Sequence, residues 1–311
     1  MALVTETPQQ NDGGRRGRVR GSGARNRARN GGPRIGSHIF LLILVIYFIT
    51  PIWWLTVAST KDTAGLFGGS GGPLWFDDEF HFFDNVRGLF ERQDGIYWRW
   101  LGNSFLYAIS GGVGATVLAV LAGYGFAKYD FRGRAAFFGI LLGAVMVPLT
   151  ALVIPTFVLL SSVGLINTVW AVILPSLLSP FGVYLMRVFA QEAVPDELLD
   201  AARIDGAGEI RTFFQIALPL LRPAIVTVLL LSVVGTWNNF FLPLAVLSDP
   251  LLLPVTVGLN GWQALSNAGS GGEALWNLIT TGAFISIIPL IIAFLSLQKY
   301  WQGGLSLGSL K

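Results

Sequence analysis

A charged run between two apolar segments comprises Arg187, Glu192, Asp196, Glu197, Asp200, Arg203, Asp205, Glu209, Arg211 and Arg222. Its chemistry is charged recognition. Pro195 suits the first position of a helix, where its missing N–H would be unpaired anyway. Asp196 and Glu197 would complement the dipole of the first turn. Val194 and Leu198 could form a hydrophobic staple, and Gly206 stands where a glycine cap would end the helix. These signals predict a helix over 195–205, about 16 Å long at 1.5 Å per residue. Leu198, Ala201 and Ala202 would share one face by three- and four-residue spacing. A small apolar face rimmed by acids and Arg203 suits docking by another protein. The alternative is an amphipathic helix lying on lipid headgroups, although such helices favour Lys and Arg over acids.

A second constellation is Trp237, Asn238 and Asn239, inside an apolar run. The two amides could hydrogen-bond a polar solute in a translocation pathway. They could equally join helices, a contact worth about 0.6 kcal/mol on average. Gly139 and Gly143 have the spacing of a small-residue packing pair. Gly111, Gly112, Gly114, Gly123 and Gly125 thin another apolar run, which implies close approach of a neighbouring helix.

Other chemistry is largely excluded. The chain has no cysteine, so it holds no disulfide, thiolate nucleophile or Cys-ligated zinc. His38 and His81 are the only histidines and lie outside the long apolar runs, so no metal site is expected. No Asp, Glu, Lys, Arg or His stands in the middle of an apolar run. A charge there costs at least about 2.5–3.5 kcal/mol and is usually functional when present. Proton relays and ion-coupling carboxylates are therefore not expected, and a neutral cargo is favoured over an ionic one. A secondary transporter stays open as a rival, because sodium can bind to carbonyls alone. The absence of clustered acids, His or Cys at membrane depth argues against a membrane enzyme. The sequence holds no Gly-Lys dipeptide, hence no P-loop. If ATP drives this protein, a separate polypeptide hydrolyses it.

The elements that must position these residues are membrane helices. The 311 residues are 53% hydrophobic and 13% charged, against roughly 25% charged in soluble domains. Apolar segments occupy about 37–58, 100–126, 135–160, 167–189, 220–247 and 275–297. Each reaches the length of about 20 residues needed to cross the hydrocarbon. The expected fold is all-α: a polytopic membrane protein of six transmembrane helices. Pro148, Pro155, Pro175 and Pro180 break the third and fourth segments, which is tolerated where neighbouring helices satisfy the freed carbonyls. The first segment exceeds the h-region of a signal peptide, so it is read as an uncleaved helix over 37–58. Residues 1–36 form an Arg- and Gly-rich tail expected to be disordered, with an RNA-binding arm as the alternative. With both termini in the cytoplasm, 17 of the 21 basic residues fall inside, and Lys61, Arg87, Arg92 and Arg99 fall outside. The positive-inside rule selects that orientation. Residues 59–97 would then be an extracytoplasmic loop carrying seven acids, closed by Tyr97, Trp98 and Trp100 as an interfacial aromatic belt.

Asp200-Ala201-Ala202-Arg203-Ile204-Asp205-Gly206, followed by Ile216-Ala217-Leu218-Pro219, resembles the EAA loop of binding-protein-dependent ABC importer permeases. That pattern is Glu-Ala-Ala, three residues, Gly, nine residues, then Ile-x-Leu-Pro, and both spacings match, with Asp200 in place of Glu. Residues 197–223 are similar to the carbohydrate-uptake branch, in particular the maltose-type partner subunit. The run WNNFFLPL at 237–244 is similar to its fifth-helix motif, with Asn239 where an acid is common, and the ending at 298–311 resembles its short cytoplasmic tail. The resemblance implies a type I ABC importer permease in the cell (inner) membrane. Its core transmembrane domain would span 98–297 with a coupling loop at 190–219, and its function would be import of a disaccharide or oligosaccharide. The same class moving glycerol phosphate or a polyol is the nearest alternative. The implied partners are a second homologous permease, two ATP-binding subunits that hold ATP and magnesium, and an external solute-binding protein, with no nucleic acid. Asp200, Ala201, Ala202 and Gly206 would contact the ATPase subunit, flanked by Glu197 and Asp205. No residue of this chain would be catalytic, and no cofactor would bind to it.

Overall fold

The computed structural model describes residues 35–268 and 273–306. The basic tail over 1–34 and residues 307–311 lie outside the described residues. Among those described, all regular structure is helical. The chain divides into two units, Met1–Thr50 and Pro51–Lys311. The first unit, where described, is the apolar start of helix α1 (Ile35–Ala58). Phe40, Tyr47 and Phe48 stand exposed on it, and only lipid makes that arrangement favourable along a whole helix.

The second unit contains α2 (Thr63–Gly68), α3 (Phe82–Glu91), α4 (Ile96–Lys128), α5 (Arg134–Val145), α6 (Val153–Ser162), α7 (Trp170–Ser176) and α8 (Pro180–Ala193). It continues with α9 (Asp196–Ile204), α10 (Glu209–Leu220), α11 (Arg222–Trp237), α12 (Phe241–Val246), α13 (Val255–Ser266) and α14 (Trp276–Ser306). Four helical stretches are long and apolar enough to cross a membrane: α1, α4, α7 with α8, and α14. The third expected segment is a broken span, because α5 and the Leu149–Ser162 stretch meet at 99° beyond Pro148. The fifth begins later than expected, at Arg222. The chain turns by 77° there, between α10 and α11. The fourth runs on to Ala193, so Arg187 lies within a helix instead of opening the following loop. The sixth continues past residue 297 to Ser306, so the expected tail at 298–311 starts as helix.

Helix α4 is the axis of the packing. From Asn103 to Tyr124 its buried positions recur every three or four residues, the spacing of one helix face. That face meets α8 on one side and α11 on the other. Glycine makes the approach possible. A Cβ at Gly123 would stand 2.5 Å from the Met186 Cβ and 2.9 Å from the Arg187 amide nitrogen. Gly111, Gly112 and Gly114 are crowded in the same way, whereas Gly125 meets nothing within 4 Å. Gly139 and Gly143 also meet nothing within 4 Å among the described residues, where the expected pair packs against no helix.

Candidate functional site

The segment from Val194 to Leu221 folds onto the ends of α4 and α8. Pro195 is the N-cap of α9 (φ −61°, ψ 140°), one position earlier than the sequence signals suggest. The shift moves the staple by one residue. The partner of Val194 is then Leu199, at the fourth helical position, and both side chains are buried in one cluster. The far end closes as expected: Gly206 adopts φ +79°, the Gly206 N–H donates to the Arg203 carbonyl at 3.0 Å, and the Ala207 N–H donates to the Ala202 carbonyl at 2.9 Å. This paired bonding is a Schellman cap, and its left-handed residue favours glycine.

The helix therefore has two faces. Leu199 points inward into the cluster formed with Tyr124 of α4, Met186 and Ala190 of α8, and Phe213, Ala217 and Leu221, and Ala202, three residues on, is buried too. Ala202 is therefore buried, whereas Leu198 and Ala201, expected on one face with it, are exposed. The outer face keeps Glu197, Leu198, Asp200, Ala201 and Asp205, with Gly206 exposed at its end. Ile204 joins them, 86% exposed. In α10 the turn over Phe213–Ala217 is a π-helix. It sends Phe213 inward, with its ring 4.9 Å from that of Tyr124, and Phe214 outward at 58% exposure. Ile210, 77% exposed, stands beside Phe214 along a shallow open depression that Gly208, Glu209 and Arg211 also line. Three large exposed apolar side chains rimmed by charges mark an interaction surface.

Polar contacts tie this loop to α4. The Lys128 ammonium, its side chain 6% exposed, lies 2.7 Å from the Asp196 carboxylate. Tyr129, just past the helix, donates its hydroxyl hydrogen to Glu209 at 2.9 Å. Arg203 donates to Glu209 and to Asp200, each at 3.0 Å. The Arg203 guanidinium and the Tyr129 hydroxyl hold the Glu209 carboxyl below its ordinary value, and Lys128 does the same for Asp196. Burial, and then its bond to Glu209, pushes Tyr129 up to about 12. Lys128, Tyr129 and Glu209 are functional candidates that sequence reasoning passed over. The hint was available in Lys128, a lysine ending an apolar span.

The second constellation is arranged differently. Trp237 is buried edge-to-face against Phe105, with centroids 5.0 Å apart. Asn238 is exposed where α11 ends, and Asn239 is half-buried, its backbone carbonyl accepting from the Thr256 hydroxyl at 3.2 Å. Neither asparagine amide bonds another helix among the described residues. No cluster of three or more potential metal ligands occurs among the described residues.

Residues 115–306 match the model of the family described as the binding-protein-dependent transport system inner membrane component. Over 278 residues the chain is 35% identical to the arabinooligosaccharides transport system permease protein AraQ of Bacillus subtilis, a match covering 89% of this chain and 96% of that one. It is 29% identical to the lactose transport system permease protein LacG of Rhizobium radiobacter, over 90% of this chain and 97% of that one. It is 27% identical to the sn-glycerol-3-phosphate transport system permease protein UgpE of Yersinia pestis, over 86% and 94%. Among solved structures, a chain of a bacterial ABC transporter involved in the import of the acidic polysaccharide alginate superposes with a TM-score of 0.74. That match covers 86% of this chain and 96% of that one, and at 22% identity it speaks for the fold. The polytopic helical fold, the loop with its exposed apolar face and these likenesses agree: the chain belongs to the family of inner membrane components of binding-protein-dependent transport systems.

Proposed function

We propose that this chain is the permease subunit of an ABC importer that brings a disaccharide or oligosaccharide across the cytoplasmic membrane. The observation that carries the reading is the outer face of the 196–217 segment. Leu198, Ala201, Ile204, Ile210 and Phe214 stand exposed there on a scaffold fixed to α4 and α8. Glu197, Asp200, Ala201, Asp205 and Gly206 would enter the ATP-binding subunit, with Ala202 supporting them from behind. Closure of two such subunits on ATP would push α9, and the Lys128 and Tyr129 contacts would pass the displacement to α4. ATP and magnesium would be held by those subunits, since this sequence has no P-loop. A homologous second permease would complete the pathway, and an external binding protein would deliver the cargo. The distribution of basic residues supports both termini in the cytoplasm.

Two of the relatives carry sugar names, which supports sugar as the cargo class. The glycerol phosphate alternative rests on the likeness to UgpE. It is favoured less, because the midpoints of the membrane segments offer no cation to a phosphate. Uptake by membrane vesicles separates the mechanisms. Dependence on internal ATP is expected. Collapse of uptake under a protonophore at constant ATP would establish a secondary transporter instead.

A further inference from the structure

Several basic residues around the Lys128 end of the helices meet acids, and Arg132, Arg211 and Arg222, which do not, are exposed. Lys128 meets Asp196, Arg134 meets Asp130, and Arg203 meets Asp200 and Glu209. Arg187 has no carboxylate partner among the described residues. Its guanidinium carbon lies 3.8 Å from the centroid of the Phe138 ring, and its Nε is buried without a hydrogen-bond acceptor.

Three helices fix its depth. Arg187 is six residues before the end of α8. Its amide faces Gly123, five residues before the end of α4, and its guanidinium covers Phe138, four residues into α5. At 1.5 Å per residue, all three place it about 6–9 Å inside the helix ends. With the helix ends taken to lie at the membrane surface, that depth corresponds to the boundary between acyl chains and headgroups, where an arginine extends toward phosphate. Toward the membrane centre, the side chain is followed by Tyr184, stacked on Phe138 at 6.4 Å, and by exposed Phe181, each three residues from the next. Apolar and aromatic surface below and an unpaired guanidinium above match the two ends of a phospholipid. A planar guanidinium also suits phosphate geometry.

We propose that Arg187, Phe138 and Tyr184 form a site for an anionic phospholipid, in the leaflet on the side of the Lys128–Asp196 contact. The phosphodiester would meet the Arg187 donors, and an acyl chain would lie along Tyr184 and Phe181. The inference is independent of which cargo the protein carries.

The test uses the full chain with its co-purifying subunits in nanodiscs of mixed phosphatidylcholine and phosphatidylglycerol, followed by native mass spectrometry. The wild type is expected to retain phosphatidylglycerol preferentially. Arg187→Gln should reduce that preference about fivefold, the worth of one cation near an anionic surface, and Arg187→Lys should restore part of it. An unchanged preference in Arg187→Gln overturns the proposal. Displacement by excess inorganic phosphate also overturns it, by making the occupant a free anion. Should Arg187→Gln fail to assemble, photoreactive phosphatidylglycerol on the wild type decides. Labelling at residues 138, 181 and 184 supports the site. Labelling elsewhere, or crosslinking of this surface to a carboxylate of another subunit, overturns it.

Discussion

Two lysines stand at the ends of membrane helices, and both are buried. Lys61 comes three residues after α1 and Lys128 is the last residue of α4, with side chains 2% and 6% exposed. Their partners differ. Asp77 is itself enclosed, 2.9 Å from Lys61, and it also accepts the Gly71 N–H at 2.8 Å. Lys61 donates further to the Gly72 carbonyl at 2.6 Å. Beneath it, the buried Asn85 amide donates to the Ser59 and Lys61 carbonyls and accepts from Asn277. Asp196, in contrast, is 79% exposed and holds Lys128 by a single contact. A desolvated pair held by further hydrogen bonds is costly to break, because each partner alone would be a buried charge. A pair with water on one side separates easily, since water replaces the lost partner. The Lys61 end is built as a fastening, and the Lys128 end as a joint that can shift.

The sharpest way to break this comparison is to remove each acid in turn. Asp77→Ala strands Lys61, and a severe loss of folded protein is expected, read as membrane abundance and thermal unfolding. The double change Lys61→Met with Asp77→Leu should recover much of it, because no charge is then left buried. Asp196→Ala should leave abundance and unfolding close to wild type. Equal destabilisation by the two alanine variants would erase the distinction. A smaller effect is expected from Lys128→Met, which should lower transport several-fold while the folded chain persists. Exchanging the charges, Lys128→Asp with Asp196→Lys, should restore part of the transport. Failure of the exchange, with the fold intact, would mean that the contact does not carry motion.

The smallest effect concerns pH. Lys61 holds the Asp77 carboxyl below its ordinary value, as Lys128 holds Asp196 and Arg203 holds Glu209. A group whose folded value is lowered contributes stability above the ordinary carboxylate range and loses it as pH falls through the lowered value. Both ends should therefore be insensitive near neutrality and loosen only in acid, read by hydrogen exchange over 62–77 and 196–209. Loosening between pH 6 and 8 would contradict these assignments.

Much of the joint was legible in the sequence, because its signals are local. Acids in the first turn, a glycine three residues after Arg203 and the Glu-Ala-Ala-like spacing all lie within one short stretch. Local signals fix a helix to within a residue, and a one-residue offset at Pro195 was enough to transfer the staple from Leu198 to Leu199. The inward turn of Ala202 was not legible, since it depends on α4 and α8. Nor was the Lys128–Asp196 pair, whose members are 68 residues apart. Gly111, Gly112, Gly114 and Gly123 announced close packing correctly, while Gly125, Gly139 and Gly143 meet nothing within 4 Å among the described residues. Glycine content marks where helices can approach, and the crossing geometry decides which sites are used. The pathway residues were the least legible. Trp237, Asn238 and Asn239 are adjacent in sequence, yet the end of α11 at Trp237 gives them three different environments.

In the proposed function, energy enters this protein at the outer face of α9. The direct measurement is uptake by proteoliposomes holding the importer with Ala201→Arg, beside ATP hydrolysis by the same preparation. Ala201 is exposed, so the longer side chain is accommodated in the free chain and obstructs only a docked partner. ATP-driven uptake should fall at least about tenfold, equivalent to about 1.4 kcal/mol lost at the contact, with abundance in the membrane unchanged. Uptake at the wild-type rate would contradict the account.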